Sequence, residues 1–67
     1  VNHSKIRELE LVLNAGEYVN HFSTKNNKLV TLTSSGRVIL WDLDGNNAYE
    51  KWSIPCQRLL VNQNEGA

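Results

Sequence analysis

The sequence predicts an all-β chain, and three observations carry that expectation. Turn-forming residues interrupt it at a rhythm of about 8–12 residues, the spacing of short strands joined by tight turns. The runs between these breaks are rich in Val, Ile, Thr, Leu and aromatic residues, which suit a pleated surface. One run, Val38-Ile39-Leu40-Trp41, is apolar at four successive positions, the pattern of a strand covered on both faces.

The breaks are Asn14-Ala15-Gly16, Asn26-Asn27, Ser34-Ser35-Gly36, Asp44-Gly45-Asn46-Asn47 and Pro55. Gly and Asn tolerate a positive φ, Asp and Ser bond their own backbone, and Pro ends a ladder. Residues 5–13 fit two templates. Leu9, Leu11 and Leu13 alternate with Glu8 and Glu10 as a half-buried strand would. Ile6, Leu9, Val12 and Leu13 also share one helical face, with Ser4 as N-cap and Gly16 as the residue past the C-terminus. Strands are expected at residues 18–22, 28–33, 37–43 and 48–54. The last of these alternates Tyr49, Lys51 and Ser53 against Glu50, Trp52 and Ile54, as suits an outer strand that meets solvent. A further short strand is expected at 57–61, before a polar tail.

Length and composition narrow the function classes. A chain of 67 residues is one small domain at most, and at that size its core is marginal without staples. Cys56 is the only cysteine, so no internal disulfide forms, and no Cys/His spacing fits a structural zinc site. Seven basic residues balance seven acidic ones, and no Lys/Arg cluster of the kind that binds nucleic acid is present. Lys25 and Lys28 flank the Asn26-Asn27 turn and read as a solvated hairpin tip. Without 18 consecutive apolar residues the sequence contains no candidate membrane-spanning helix. The lone thiol favours a reducing compartment, cytoplasm or nucleus. A chain that opens at Val1 and contains no Met is expected to be part of a longer protein.

Residues 29–42 read Leu-Val-Thr-Leu-Thr-Ser-Ser-Gly-Arg-Val-Ile-Leu-Trp-Asp, and this stretch resembles the second half of a WD40 repeat. A small-residue strand leads into a tight turn ending in Gly, and an apolar strand then closes on Trp-Asp. Thr31, Gly36, Val38, Leu40, Trp41 and Asp42 stand where that pattern expects them, and Phe22-Ser23 resembles the end of the repeat's first strand. The resemblance covers residues 22–45. It departs from the pattern in two places: the Gly-His pair before the first strand is absent, and Ser35 replaces the acidic residue before the turn glycine. Of the repeat's His–Asp–Ser/Thr–Trp network, Thr31 and Trp41 remain, with Ser35 as a weak substitute.

The resemblance implies a β-propeller blade, a four-stranded antiparallel sheet over residues 18–54. It further implies that 5–13 is the outer strand of a preceding blade and 57–61 the inner strand of the next. A propeller has roughly 4–8 blades of about 40–45 residues each, so this stretch is an incomplete propeller. The remaining blades are expected from further sequence or from a partner chain.

Each candidate site has a plainer structural reading. Trp41 is expected to pack between blades with its indole N–H on Thr31, and Asp42 to hold backbone or turn groups. Asp42, Asp44 and Glu50 are carboxylates, but Asp44-Gly45 is first of all turn chemistry. His3 and His21 have no second ligand at metal spacing. Cys56 stands beside Arg58, a neighbour that lowers a thiol pKa in reactive sites, yet it reads as structural. Asn2-His3-Ser4 matches a glycosylation triplet without a secretory context. The WD-repeat resemblance, together with the lack of a catalytic constellation, phosphate loop or cofactor motif, implies a non-catalytic protein–protein interaction scaffold in a multiprotein complex. Its partners are other protein subunits, with no membrane and no direct nucleic-acid contact, and Trp52 is the candidate partner contact. The alternatives are a module reading a short peptide or modified side chain at a propeller channel, and a blade donated in trans to a partner's open propeller.

Overall fold

The computed structural model describes residues 1–57, of which about 70% lie in strands. The strands are β1 (Asn2–Ile6), β2 (Leu9–Leu13), β3 (Val19–Lys25), β4 (Lys28–Thr33), β5 (Arg37–Asp44) and β6 (Asn47–Pro55). They form one mixed sheet in the order β1-β2-β6-β5-β4-β3. Strands β3 to β6 are a four-stranded antiparallel meander, in which every neighbour in sequence is a neighbour in space. The strand expected at 57–61 lies outside the described residues except for Gln57, which comes after the end of β6.

The turn chemistry accounts for the meander. Asn26 and Asn27 take φ of 52° and 60°, the paired left-handed conformation that joins two strands in step with their right-handed twist. At the next turn Gly36 has φ 80°, a conformation that costs a Cβ-bearing residue energy, and its N–H donates to the Thr33 carbonyl at 3.0 Å.

Residues 5–13 are not helical, and they are not one strand either: the expected alternation of Leu9, Leu11 and Leu13 holds over β2 alone. They are split by a turn at Arg7-Glu8, and β1 pairs antiparallel with β2 from Ile6↔Leu9 to Asn2↔Leu13. The reason lies in the parity of the apolar positions. In one unbroken strand Ile6 would face away from Leu9, Leu11 and Leu13. A turn with Arg7 at φ 55° reverses the chain and puts all four on one side. The hairpin joins the meander through a single parallel bridge, Glu10↔Asn47.

That side is the core. Leu11, Leu29 and Ile39 are fully buried, Leu13 and Trp41 nearly so, and Ile6 completes the cluster. Because hairpin and meander residues share one cluster, the sheet curls into a half-barrel, with β1–β2 folded toward the concave face of β3–β6. Among the described residues the run Val38 to Trp41 is covered on one face only, not on both as expected. Ile39 and Trp41 point into the core, whereas Val38 and Leu40 are partly exposed on the convex side.

Truncating the hairpin's contribution tests this packing. Leu11→Ala is expected to cost about 2–5 kcal/mol, the range for a buried Leu. Val12→Ala, at a residue half exposed on the far side of the same strand, is expected to cost less than about 0.5 kcal/mol. Equal effects in urea titrations would mean that the hairpin does not cover the sheet.

Candidate interaction surface

Two features stand apart from ordinary packing: a buried polar anchor at one end of the sheet and, on its convex side, an apolar face left uncovered by the described residues. The anchor is Glu17, in the loop between β2 and β3, with a side chain only 1% exposed. Its carboxylate takes a two-pronged contact from Arg37, Nε to Oε2 at 2.8 Å and Nη2 to Oε1 at 2.6 Å. Thr33 donates to Oε2 at 2.5 Å, Ser35 donates to the same oxygen, and the Asn14 backbone N–H donates to Oε1 at 3.0 Å. Arg37 also reaches Ser53 of β6 at 3.3 Å, and Asn2 of β1 donates to the Glu17 carbonyl at 2.5 Å. One carboxylate therefore links the loop to β4, the β4–β5 turn and β5. No buried side-chain nitrogen or oxygen among the described residues lacks a partner.

The partners determine the electrostatics. The Arg37 guanidinium holds the Glu17 carboxyl far below the usual carboxylate range. Burial opposes this, and the Ser35, Thr33 and Asn14 bonds add to the lowering. Arg37 is raised in turn, first by its bond to Glu17. Sequence reasoning missed both residues. It registered the acidic group missing before Gly36, but not that the loop supplies a carboxylate to Ser35 from Glu17, directly after Gly16. The available signal was an acid immediately before an aromatic, β-branched strand.

The convex face is built by register. Val30 of β4, Leu40 of β5 and Trp52 of β6 are directly opposite one another in one row. Leu32, Val38 and Ile54 make the next. These six side chains lie on three adjacent strands, and Val30 and Trp52 are 39% and 43% exposed. Lys28 ion-pairs with Asp42 at the margin, and Lys51, the bulged residue of β6, lies 3.9 Å from the same carboxylate. Lys28 is the foremost cause of the lowered Asp42 pKa. An apolar centre with a charged rim is the anatomy of a protein-binding patch.

The residues singled out in the sequence fall at several places in the fold. The Trp41 indole donates to Thr31 Oγ1 at 3.0 Å, both buried, as expected of that pair. Gly36 and Ser35 sit in the β4–β5 turn, Ser35 on Glu17. Asp42 does not hold backbone or turn groups but pairs with Lys28, because the two stand directly opposite on β5 and β4. Trp52 lies on the convex face. His3 is exposed and 2.9 Å from Glu10, and His21 is exposed on β3. No His/Cys/Asp/Glu group able to hold a metal occurs among the described residues. The partly buried Cys56 donates its backbone N–H to the Gly36 carbonyl at 2.7 Å.

Compared with known protein families, with characterised proteins and with solved structures, the chain matches none of them.

Two stability outcomes are expected. Trp41→Ala should cost about 3–5 kcal/mol and His21→Ala less than about 1 kcal/mol by chemical denaturation. The reverse ranking would show that the Thr31–Trp41 pair is not the centre of the core. Glu17 is depressed in the folded state, so its stabilisation is complete above the ordinary carboxylate value of 4.5 and is lost as pH falls below it. Glu17→Gln is expected to destabilise by about 3 kcal/mol at neutral pH and to flatten the acid limb of the stability curve. An acid limb unchanged by this substitution would rule out Glu17 as its source.

Proposed function

We propose that this chain is a non-catalytic protein–protein interaction scaffold, a divergent WD-type blade with flanking strands, working in a multiprotein complex. The observation that carries this reading is the uncovered convex face, whose two rows of apolar side chains have no cover within the described residues. Monomeric proteins rarely leave a contiguous patch of this kind open to water.

The hairpin supports the repeat character of the reading. Counted from their turns, β1–β2 and β5–β6 carry apolar cross-strand pairs on the same side, and β5–β6 is apolar on its other side as well, where Ile39 and Trp41 enter the core. In β1–β2 that side carries the pairs Ile6–Leu9, Ser4–Leu11 and Asn2–Leu13, and it packs on the meander. In β5–β6 it begins with Asp44–Asn47 and Asp42–Tyr49 and continues, past the bulge, with Leu40–Trp52 and Val38–Ile54. The Leu40–Trp52 and Val38–Ile54 pairs are the β5–β6 part of the convex face. Each hairpin thus offers one apolar side to the next layer, as stacked blades do, and the next layer comes from further sequence or from a partner chain. The trans-donated blade is one form of this arrangement.

A second reading, recognition of a short peptide or modified side chain, draws on the opposite feature. The three hairpin tips bring Arg7, Lys25 and Lys28 around an open cleft of about 430 Å³, with Glu8 as the lining carboxylate.

Affinity capture from cells separates the two. Leu40→Glu with Trp52→Glu is expected to reduce recovery of partner subunits at least about tenfold, while Val12→Glu, on the outer side of the hairpin, leaves it unchanged. Loss caused instead by Arg7→Glu with Lys25→Glu would favour the peptide-reading module. Loss by none of the three would remove the scaffold reading.

A further inference from the structure

The sheet has two free edges among the described residues, β1 and β3. The β1 edge is short and carries Lys5 and the His3–Glu10 pair on its hairpin. The β3 edge is different: from Asn20 to Lys25 every residue is exposed, with no Pro, no carboxylate and a single Lys at the tip. Natural edge strands are normally blunted by charge, Pro, a bulge or cover, and between His21 and Thr24 this one has none of these among the described residues.

Its free groups can be assigned. Asn26-Asn27 is a two-residue turn, so Lys25↔Lys28 closes the ladder with hydrogen bonds and the pairs alternate from there. Ser23 and His21 bond inward to Val30 and Leu32. Phe22 and Thr24 therefore point their N–H and C=O groups away from the sheet. Water can solvate these groups singly, and another extended polypeptide matches the whole row at once.

We infer that this polypeptide is β3 of a second copy, paired antiparallel about a two-fold axis at Ser23. The regular part of β3, past the irregularity at Asn20, is residues 21–25, and Ser23 is its midpoint. In this register Phe22 of one copy stands opposite Thr24 of the partner subunit, and each such pair exchanges both of its main-chain hydrogen bonds. Charge selects the antiparallel sense: it sets the two Lys25 side chains at opposite ends, where parallel pairing would put them side by side. Phe22, 47% exposed and flanked by β4 on its inner side only among the described residues, gains cover from the partner's strand. An axis perpendicular to the sheet also brings together, on one side, the two apolar depressions of about 200 Å³ lined by His21, Phe22, Val30, Leu32 and Val38. The contact is one strand wide, so the dimer is weak and concentration-dependent.

The main-chain ladder lies on β3 and involves neither Leu40 nor Trp52; Val30, Leu32 and Val38 of the convex face border it, and the Thr24 and Leu40–Trp52 variants separate self-pairing from the proposed function. The test is sedimentation of the 67-residue chain over a concentration series, with residue-resolved amide exchange on the same samples. The expected result is a monomer–dimer equilibrium in which the Phe22 and Thr24 amides become protected as concentration rises, while the Ser23 amide is unchanged. Thr24→Pro removes an outward donor without touching the inner ladder. It is expected to shift the equilibrium toward monomer at least about tenfold, since two symmetry-related hydrogen bonds are lost. Exchange at Phe22 and Thr24 that does not depend on concentration overturns the proposal, whether or not Thr24→Pro folds. A dimer that survives in Thr24→Pro and dissolves in the Leu40→Glu, Trp52→Glu variant also overturns it, assigning self-association to the convex face.

Discussion

The Glu17–Arg37 pair is the constraint around which the rest of the structure is arranged. A carboxylate taken out of water is costly unless its oxygens are filled by donors, and here Arg37, Thr33, Ser35 and the Asn14 amide fill them. The donors come from separate elements, so satisfying one side chain fixes the loop after β2 against β4, the β4–β5 turn and β5. Asn2 joins the same group through the Glu17 carbonyl, which pins the start of β1. The hairpin is thereby held over the meander at the end where its strands begin and finish. Its single bridge to β6 would not do this alone.

Curling the sheet has a consequence on each face. On the concave side Ile6, Leu11 and Leu13 meet Leu29, Ile39 and Trp41, and the Trp41 indole finds Thr31, so the interior is apolar and its one buried indole is satisfied. On the convex side the same strands place Val30, Leu32, Val38, Leu40, Trp52 and Ile54, and the chain brings nothing over them within the described residues. The sheet thus has two apolar faces and, among the described residues, a single cover. The charged margin of Lys28, Asp42 and Lys51 keeps that face from being uniformly apolar.

The strands of the meander were legible because local rules suffice for them. Asn26-Asn27, Ser34-Ser35-Gly36 and Asp44-Gly45 each require turn geometry, and the β-branched runs between them have little alternative to extended backbone. The observed ends run further than expected, to Lys25 and Pro55, since ladder pairing extends past the point where composition changes. The Thr31–Trp41 bond was legible for a similar reason: a buried indole must find an acceptor, and a neighbouring strand offered one. At residues 5–13 local rules were insufficient. Alternation and helical periodicity both fitted, and the outcome, a turn at Arg7-Glu8, depends on which arrangement lets Ile6 join Leu11 and Leu13 against the meander.

The sequence by itself determined the all-β class, the positions of the meander's turns and the apolar character of both faces of β5, since these come from residue period and turn chemistry over a few positions. Only the tertiary structure decided which face is covered, that Glu17 rather than a residue beside Gly36 supplies the buried carboxylate, and that Asp42 pairs with Lys28. Each of those depends on groups 14 or more residues apart being brought within hydrogen-bonding distance. Contacts of that separation are set by register and curl, which no local pattern in the chain encodes.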